Sequence, residues 1–521
     1  MKKDLFLATI ILCCAAPSGS TVTQGTAPVL TVDSGRLVGE GTAVAQVFRG
    51  IPYAAAPVGD LRWRPPAPVR PWGQRDATRF GPSCPQRGTE GVTDVVRYGG
   101  SPEPTSEDCL TLNVWAPVNL PRPAPVIVWL HGGSGRMGAG SLPFYDGTSF
   151  ARDGVVMVTI NYRLGHLGAF AHPALREETG GGDYAMMDQI AALQWVARNI
   201  AAFGGDPRQV TLAGQSAGGI SVFRLLASPA AAGLFQRAII QSAGGWFPPP
   251  AGRKAAEAAG IKVATAAGAP ADATATQLRA LSARAIAAAP DDAVARPNGA
   301  LLPESPTVTI YGGWAPRIPL MIGVNDGEDS LLDYGDGMKR ARALVTPKKL
   351  DEAKRDYGQD ITDELAVRYY FRDFIGTAPA RWVARQWSQR APVFLYRFQH
   401  LDEGATKPRA RAAHGAEIFY AFETLGLQPD QPTPPTASDR AFAEQMHARW
   451  VAFASSGTPN RPGLPAWPAY SAEKDSWMVF GQKHAAVEHD VLKQQLDSYD
   501  RQMRGLIWLA WLGAWFSRLF W

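Results

Sequence analysis

The chain has 521 residues, 46% of them hydrophobic and 19% charged, enough to bury a large core and unlike a disordered composition. A formal net charge of only +5, with no dense Lys/Arg cluster and no reader motif, excludes nucleic-acid binding as the main activity. The basic stretch around Lys339, Arg340 and Arg342 reads as a solvated helix face.

Lys2 and Lys3 precede an apolar run over residues 5–16, and the small residues Ser18, Gly19 and Ser20 follow. This is the plan of a secretory signal, too short to span a bilayer, and it places a signal peptide at residues 1–20 and the protein in a secreted or periplasmic location. Removal of that segment takes Cys13 and Cys14 with it. Cys84 and Cys109 remain, one possible pair in an oxidising compartment, the alternative being two buried thiols.

From there the chain alternates short apolar runs with amphipathic stretches. Strands are expected at residues 126–130 and 155–160, then a helix over 188–203 with Ile190, Leu193, Val196 and Ile200 at helical spacing and Gly204-Gly205 to stop it. A strand at 210–213, a glycine turn, a helix from about Ala217 and strands at 237–241, 319–323, 393–398 and 477–480 complete the pattern. Such alternation predicts an α/β fold with a mostly parallel central sheet and helices on both faces. The alanine-rich stretch 251–290 and the charged stretch 339–356 read as helical insertions that cap the site. The Pro-rich run 431–435 reads as a surface loop. Residues 21–500 are expected to form one domain. Beyond them lies an apolar, Trp-rich tail at 501–521, with Trp508, Trp511, Trp515 and Leu519 on one helical stripe. Packing on the body and peripheral membrane contact are both open to it.

The strongest chemical signal is Gly214-Gln215-Ser216-Ala217-Gly218, between the strand at 210–213 and the helix that follows. A nucleophile on a sharp strand-to-helix turn needs small neighbours, and the helix N-terminus favours developing negative charge. A serine hydroxyl also needs a base. Of the eight histidines, His414 lies in Ala-His-Gly-Ala-Glu, after the strand at 393–398 and before an apolar helix, where the last member of a Ser–acid–His order falls. His131 reads as structural. Between Ser216 and His414, the segment Asn325-Asp326-Gly327-Glu328-Asp329 sits at a strand's carboxyl end, and spacing leaves Asp326, Glu328 and Asp329 open as the acid. His131-Gly132-Gly133-Ser134-Gly135 follows a buried strand and supplies backbone amides suited to an oxyanion, as does the amide of Ala217.

With these motifs in hand, the chain resembles the type-B carboxylesterase/lipase family, the cholinesterase-like α/β-hydrolases. Matching segments include Phe48-Arg49-Gly50-Ile51-Pro52-Tyr53-Ala54, Glu107-Asp108-Cys109-Leu110-Thr111-Leu112-Asn113-Val114, Asn161-Tyr162-Arg163-Leu164-Gly165 and Phe203-Gly204-Gly205-Asp206-Pro207. They run from about residue 29 to 480. The resemblance implies the α/β-hydrolase fold and a serine carboxylic-ester hydrolase acting through an acyl-enzyme. It implies Ser216, Glu328 and His414 as catalytic residues, and oxyanion donors at Gly133, Ser134 and Ala217. It also implies a disulfide between Cys84 and Cys109, with core ion pairs of Arg49 with Glu107 and Arg163 with Asp188. The family's loop reads Asn-x-Asp-Glu-Gly; here Gly327 precedes the glutamate and Asp329 follows it. Ser134 stands where the family has a third glycine.

The expected partner is a small-molecule ester, with no cofactor and no metal, because neither a zinc-binding helix motif nor a dinucleotide fingerprint occurs. Choline esters are disfavoured: the segment between Cys84 and Cys109 has no tryptophan, and Gln215 stands before the nucleophile where cholinesterases have glutamate. The competing readings are a lipase working at a lipid interface and a non-catalytic cholinesterase-like binding protein. Amide hydrolysis would use the same machinery.

Overall fold

The computed structural model describes residues 27–86, 105–118, 120, 122–179, 182–244, 252–290, 301–402, 411–428 and 434–501. The expected signal peptide, most of the Pro-rich run and nearly all of the Trp-rich tail lie outside these residues. In chain order the strands are β1 (Val29–Val32), β2 (Gly35–Val38), β3 (Glu40–Gly41), β4 (Ala45–Pro52), β5 (Gln74–Asp76), β6 (Thr111–Pro117) and β7 (Ala124–Leu130). They continue as β8 (Val156–Ile160), β9 (Gly205–Gln215), β10 (Arg237–Gln241), β11 (Leu320–Asn325), β12 (Val393–Phe398), β13 (Ser476–Phe480) and β14 (Ala485–His489).

Eleven of these strands form one sheet in the order β14-β13-β12-β11-β10-β9-β7-β8-β6-β4-β3. The stretch from β13 to β8 is parallel throughout, and the antiparallel strands β14, β6, β4 and β3 sit at its two sides. A separate three-stranded sheet pairs β1 with β2 and β2 with β5. The apolar runs are buried on both faces, and their alternation divides two cores. Val126, Val128, Leu130, Leu212 and Ile240 face one core; Ile127, Trp129, Ala213, Ile239 and Met321 face the other.

The expected strands form, with bounds shifted by a residue or two; β9 alone is much longer than its apolar segment. The expected helix at 188–203 starts earlier, at Tyr184–Asn199, because Asp183 caps it, its side chain accepting from Met186 N. Its last turn tightens over Ile200–Phe203 and stops at Gly204, whose φ of 77° is left-handed. The stretch 251–290 forms the helices Arg253–Ala266, Ala275–Ala280 and Ala283–Ala288, packed in a satellite cluster around Trp63 and Phe170. The stretch 339–356 breaks into Gly337–Leu344 and Pro347–Tyr357, since Thr346 caps a new helix with Pro347 in its first turn. Together with Asp363–Arg372 these pack on the segment after β11 through Leu332, Ala341 and Val367.

Cys84 and Cys109 are disulfide-bonded, with Cα atoms 5.0 Å apart and both residues buried. Arg163 and Asp188 form the expected core pair, Nη2–Oδ1 2.7 Å and Nε–Oδ2 2.8 Å. Arg49 does not pair with Glu107. Glu40 lies diagonally across the β3/β4 ladder on the same face as Arg49 and takes its guanidinium, Nη1–Oε2 2.5 Å. Glu107 instead accepts two bonds from the buried Arg62, Nε–Oε1 2.7 Å and Nη2–Oε2 2.5 Å. Among the described residues no helix is long and apolar enough to cross a membrane.

Candidate active site

The candidate residues gather at the carboxyl ends of β7, β9, β11 and β12, where parallel α/β sheets place their sites. Ser216 caps the helix Ala217–Leu226 with φ 54° and ψ −123°, a strained conformation for a residue with a side chain. Its amide donates to Gln241 O at 2.9 Å, fastening the turn to β10. The small neighbours are obligatory. A Cβ on Gly214 would lie 2.6 Å from Gly218 C, and one on Gly218 only 1.9 Å from Leu130 O.

The loop after β7 packs against this turn: a Cβ on Gly132 would come within 3.2 Å of Ser216 Cβ. Gly133 and Ser134 have φ of 103° and 59°. Among the described residues, none of the amides of Gly133, Ser134 and Ala217 donates a hydrogen bond. Ser134, Ser216 and Ala217 line one cavity of about 320 Å³. These donors are therefore available to a bound oxyanion.

His414 Nδ1 is in hydrogen-bond contact with Glu328 Oε2, while Glu328 Oε1 accepts from Asn325 N at 2.9 Å. Glu328 is buried, and the contact fixes the imidazole's orientation. Burial works against the imidazolium, but the charge and hydrogen bond of Glu328 outweigh it and hold the pKa of His414 above its ordinary value. The other flanking carboxylates turn away from the imidazole. Asp326 accepts from Ala412 N at 2.8 Å, and Asp329 pairs with Arg411 at 2.9 Å and with Arg368 at 3.5 Å. Burial raises both of their pKa values, against the charge of Arg397 at Asp326 and of Arg411 and Arg368 at Asp329. With Gly327 N–Ala412 O at 2.8 Å and His414 N–Ser330 Oγ at 2.9 Å, they fasten the histidine loop to the acid loop.

Ser216 and His414 are not hydrogen-bonded to each other. His414 Nε2 instead faces the side-chain amide of the buried Gln215, Nε2 to Nε2 3.1 Å. The neutral tautomer with its proton on Nδ1 leaves a lone pair on Nε2 that this amide meets.

Glu417 was not anticipated as part of the site, although it lies three residues after His414 at the start of a helix. It is fully buried and accepts from Asn325 Nδ2 at 2.5 Å, Gln241 Nε2 at 3.3 Å and Ser242 Oγ at 3.3 Å. Burial, and then the charge of Glu328, raise its pKa. Asn325 also donates to Ala413 O at 2.6 Å, so one amide joins the acid strand to both sides of the histidine turn. His131 is structural as expected: it stacks on Tyr162 at 4.4 Å, and burial lowers its pKa to about 4, keeping it neutral. His400, Asp402 and Asp439 bring possible ligand atoms within 4.8 Å of one another. Asp402 is engaged by Tyr420 and Gln428, and Asp439 by its helix cap, so this cluster is internally satisfied.

The sequence profile of the carboxylesterase family matches residues 26–366 and 337–499. A fumonisin B1 esterase from Sphingopyxis macrogoltabida is 36% identical over 469 residues, covering 84% of each chain. A para-nitrobenzyl esterase from Bacillus subtilis (strain 168) is 33% identical, covering 89% of this chain and 96% of its own. A solved PNB esterase superposes with a TM-score of 0.79 at 31% identity, over 90% of this chain and 99% of the other.

Proposed function

Because the chain belongs to the carboxylesterase family and is a carboxylic ester hydrolase, we propose that it works through an acyl-enzyme on Ser216, with His414 as general base and Glu328 as its orienting acid. The observation that carries this reading is the Nδ1 contact of His414 with Glu328, beside a serine strained at the head of a helix.

The cycle starts when Gln215 yields Nε2 of His414 to Ser216 Oγ. The imidazole takes the hydroxyl proton as Oγ attacks the ester carbonyl, and Glu328 stabilises the imidazolium. The oxyanion is met by the amides of Gly133, Ser134 and Ala217. The imidazolium then protonates the leaving alcohol. Water, activated by the same nitrogen, hydrolyses the acyl-enzyme and releases the acid. Glu417, held by Asn325, Gln241 and Ser242, adds negative potential behind the imidazolium without touching the reacting atoms.

The partner is a small-molecule ester. The buried Cys84–Cys109 disulfide supports export to an oxidising compartment, in keeping with the signal segment. Ser216→Ala tests the mechanism: it should abolish fluorophosphonate labelling and lower turnover by on the order of a million-fold. Near-native turnover by the folded variant would overturn it.

A further inference from the structure

The cavity beside Ser216, about 320 Å³, is at the small end of ligand sites, and its wall is not an apolar sleeve. Arg136, Arg163 and Arg224 line it, and among the described residues no carboxylate does. Each guanidinium nitrogen of Arg163 is engaged, two by Asp188 and one by Arg64 O. Arg224 differs. It stands on the helix that Ser216 opens, eight residues on, which at ~1.5 Å per residue places it ~12 Å along the axis at the far end of the same cavity. Its side chain is 10% exposed and one Nη donates to Asp183. No other donor of its guanidinium is engaged by a described residue. A guanidinium carries five N–H groups, and those that Asp183 does not take are open to a ligand in the cavity that Arg224 lines. They are positioned for a bidentate acceptor.

His414 and Gln215 are not part of this wall, whereas Ser134 and Ala217 are. The leaving alcohol must lie toward His414, so the cavity holds the acyl portion that stays on Ser216. We propose that it is a subsite for a carboxylate at the far end of the acyl chain, and that the preferred substrates are monoesters of dicarboxylic acids. This rests on the esterase reading.

The purified full-length enzyme should be compared on 4-nitrophenyl hydrogen suberate and 4-nitrophenyl octanoate, which share a chain length and differ by the terminal carboxylate. The ratio of kcat/KM, anionic over neutral, should exceed tenfold and fall as salt is raised. Free suberate should inhibit competitively. Arg224→Gln should lower the ratio at least tenfold. That change also takes the arginine away from Asp183, so the double variant Asp183→Asn/Arg224→Gln, which removes both charges, should give the same drop. A neutral ester hydrolysed as well as the anionic one by the wild type, or a ratio unmoved in both variants, would overturn the subsite. Octanoate turnover with Ser216 labelling upholds the esterase reading in that case. Failure on both esters, with Ser216 unlabelled, would sink the two together.

Discussion

Gly218→Ala isolates the contact that holds the nucleophile in place. The added Cβ would stand 1.9 Å from Leu130 O, 2.7 Å from Leu130 C and 2.8 Å from His131 O. These are backbone atoms at the end of β7, which pairs with β8 on one side and β9 on the other and cannot give way. Ordinary carbon contacts lie at ~3.5 Å or more, so the helix Ala217–Leu226 must withdraw by ~1.5 Å. Overpacking of this kind costs about 1–3 kcal/mol, and a misplacement of ~1 Å at a reacting group costs about a hundredfold in turnover. The shift also carries Ala217 N away from the oxyanion position. Ester hydrolysis and thermal melting of the purified variant should therefore both fall, with kcat down about a hundredfold. Gly73→Ala, where nothing lies within 4 Å of the added carbon, is the control and should stay within about 0.5 kcal/mol of wild type. If Gly218→Ala kept wild-type kcat and melting temperature, the claim that this close approach positions Ser216 would fail.

Glu328→Gln should cut kcat severely, because a neutral amide neither stabilises the imidazolium nor fixes the tautomer; kcat within threefold of wild type would remove Glu328 from the proposed site. The rate should fall in acid as His414 takes up a proton. Since its pKa is raised, the midpoint of kcat/KM should lie above the free-imidazole value of ~6.5, and a midpoint below that would contradict the Glu328 contact. Asp188→Asn leaves the Arg163 charge buried without its partner, which should destabilise the fold by about 3–5 kcal/mol; an unchanged denaturation midpoint would show the pair to be dispensable. Replacing Cys84 and Cys109 by serine should cost about 3 kcal/mol in the chain-entropy account, readable as a lower melting temperature than that of the oxidised protein.

The parallel core was legible because its strands are buried on both faces and appear as short, uninterrupted apolar runs such as those of β7, β8 and β10. The edges were not. Glu40–Gly41, Gln74–Asp76 and Ala485–His489 are short and partly exposed, so no apolar pattern announces them, and pairing with a distant neighbour defines them instead. The break between the helices Gly337–Leu344 and Pro347–Tyr357 was in principle readable from Thr346 and Pro347, a cap followed by a first-turn proline.

At the site, the sequence by itself determined what depends on near neighbours along the chain. The crowding that demands glycine at 214, the strained serine two residues on and the glycine loop after β7 are set by a few consecutive residues, whereas glycine at 218 is demanded by Leu130 and His131 at the end of β7. Only the tertiary structure decided the rest. Gln215, rather than Ser216, meets Nε2 of His414; Glu417 joins Asn325, Gln241 and Ser242; Asp326 and Asp329 brace the histidine loop; Arg49 takes Glu40 while Arg62 takes Glu107. The physical reason is the same in each case. A charged or polar side chain in a core must find a partner, and several partners of the right chemistry exist in the chain. Strand register and helix packing, not sequence spacing, select the one within hydrogen-bond reach.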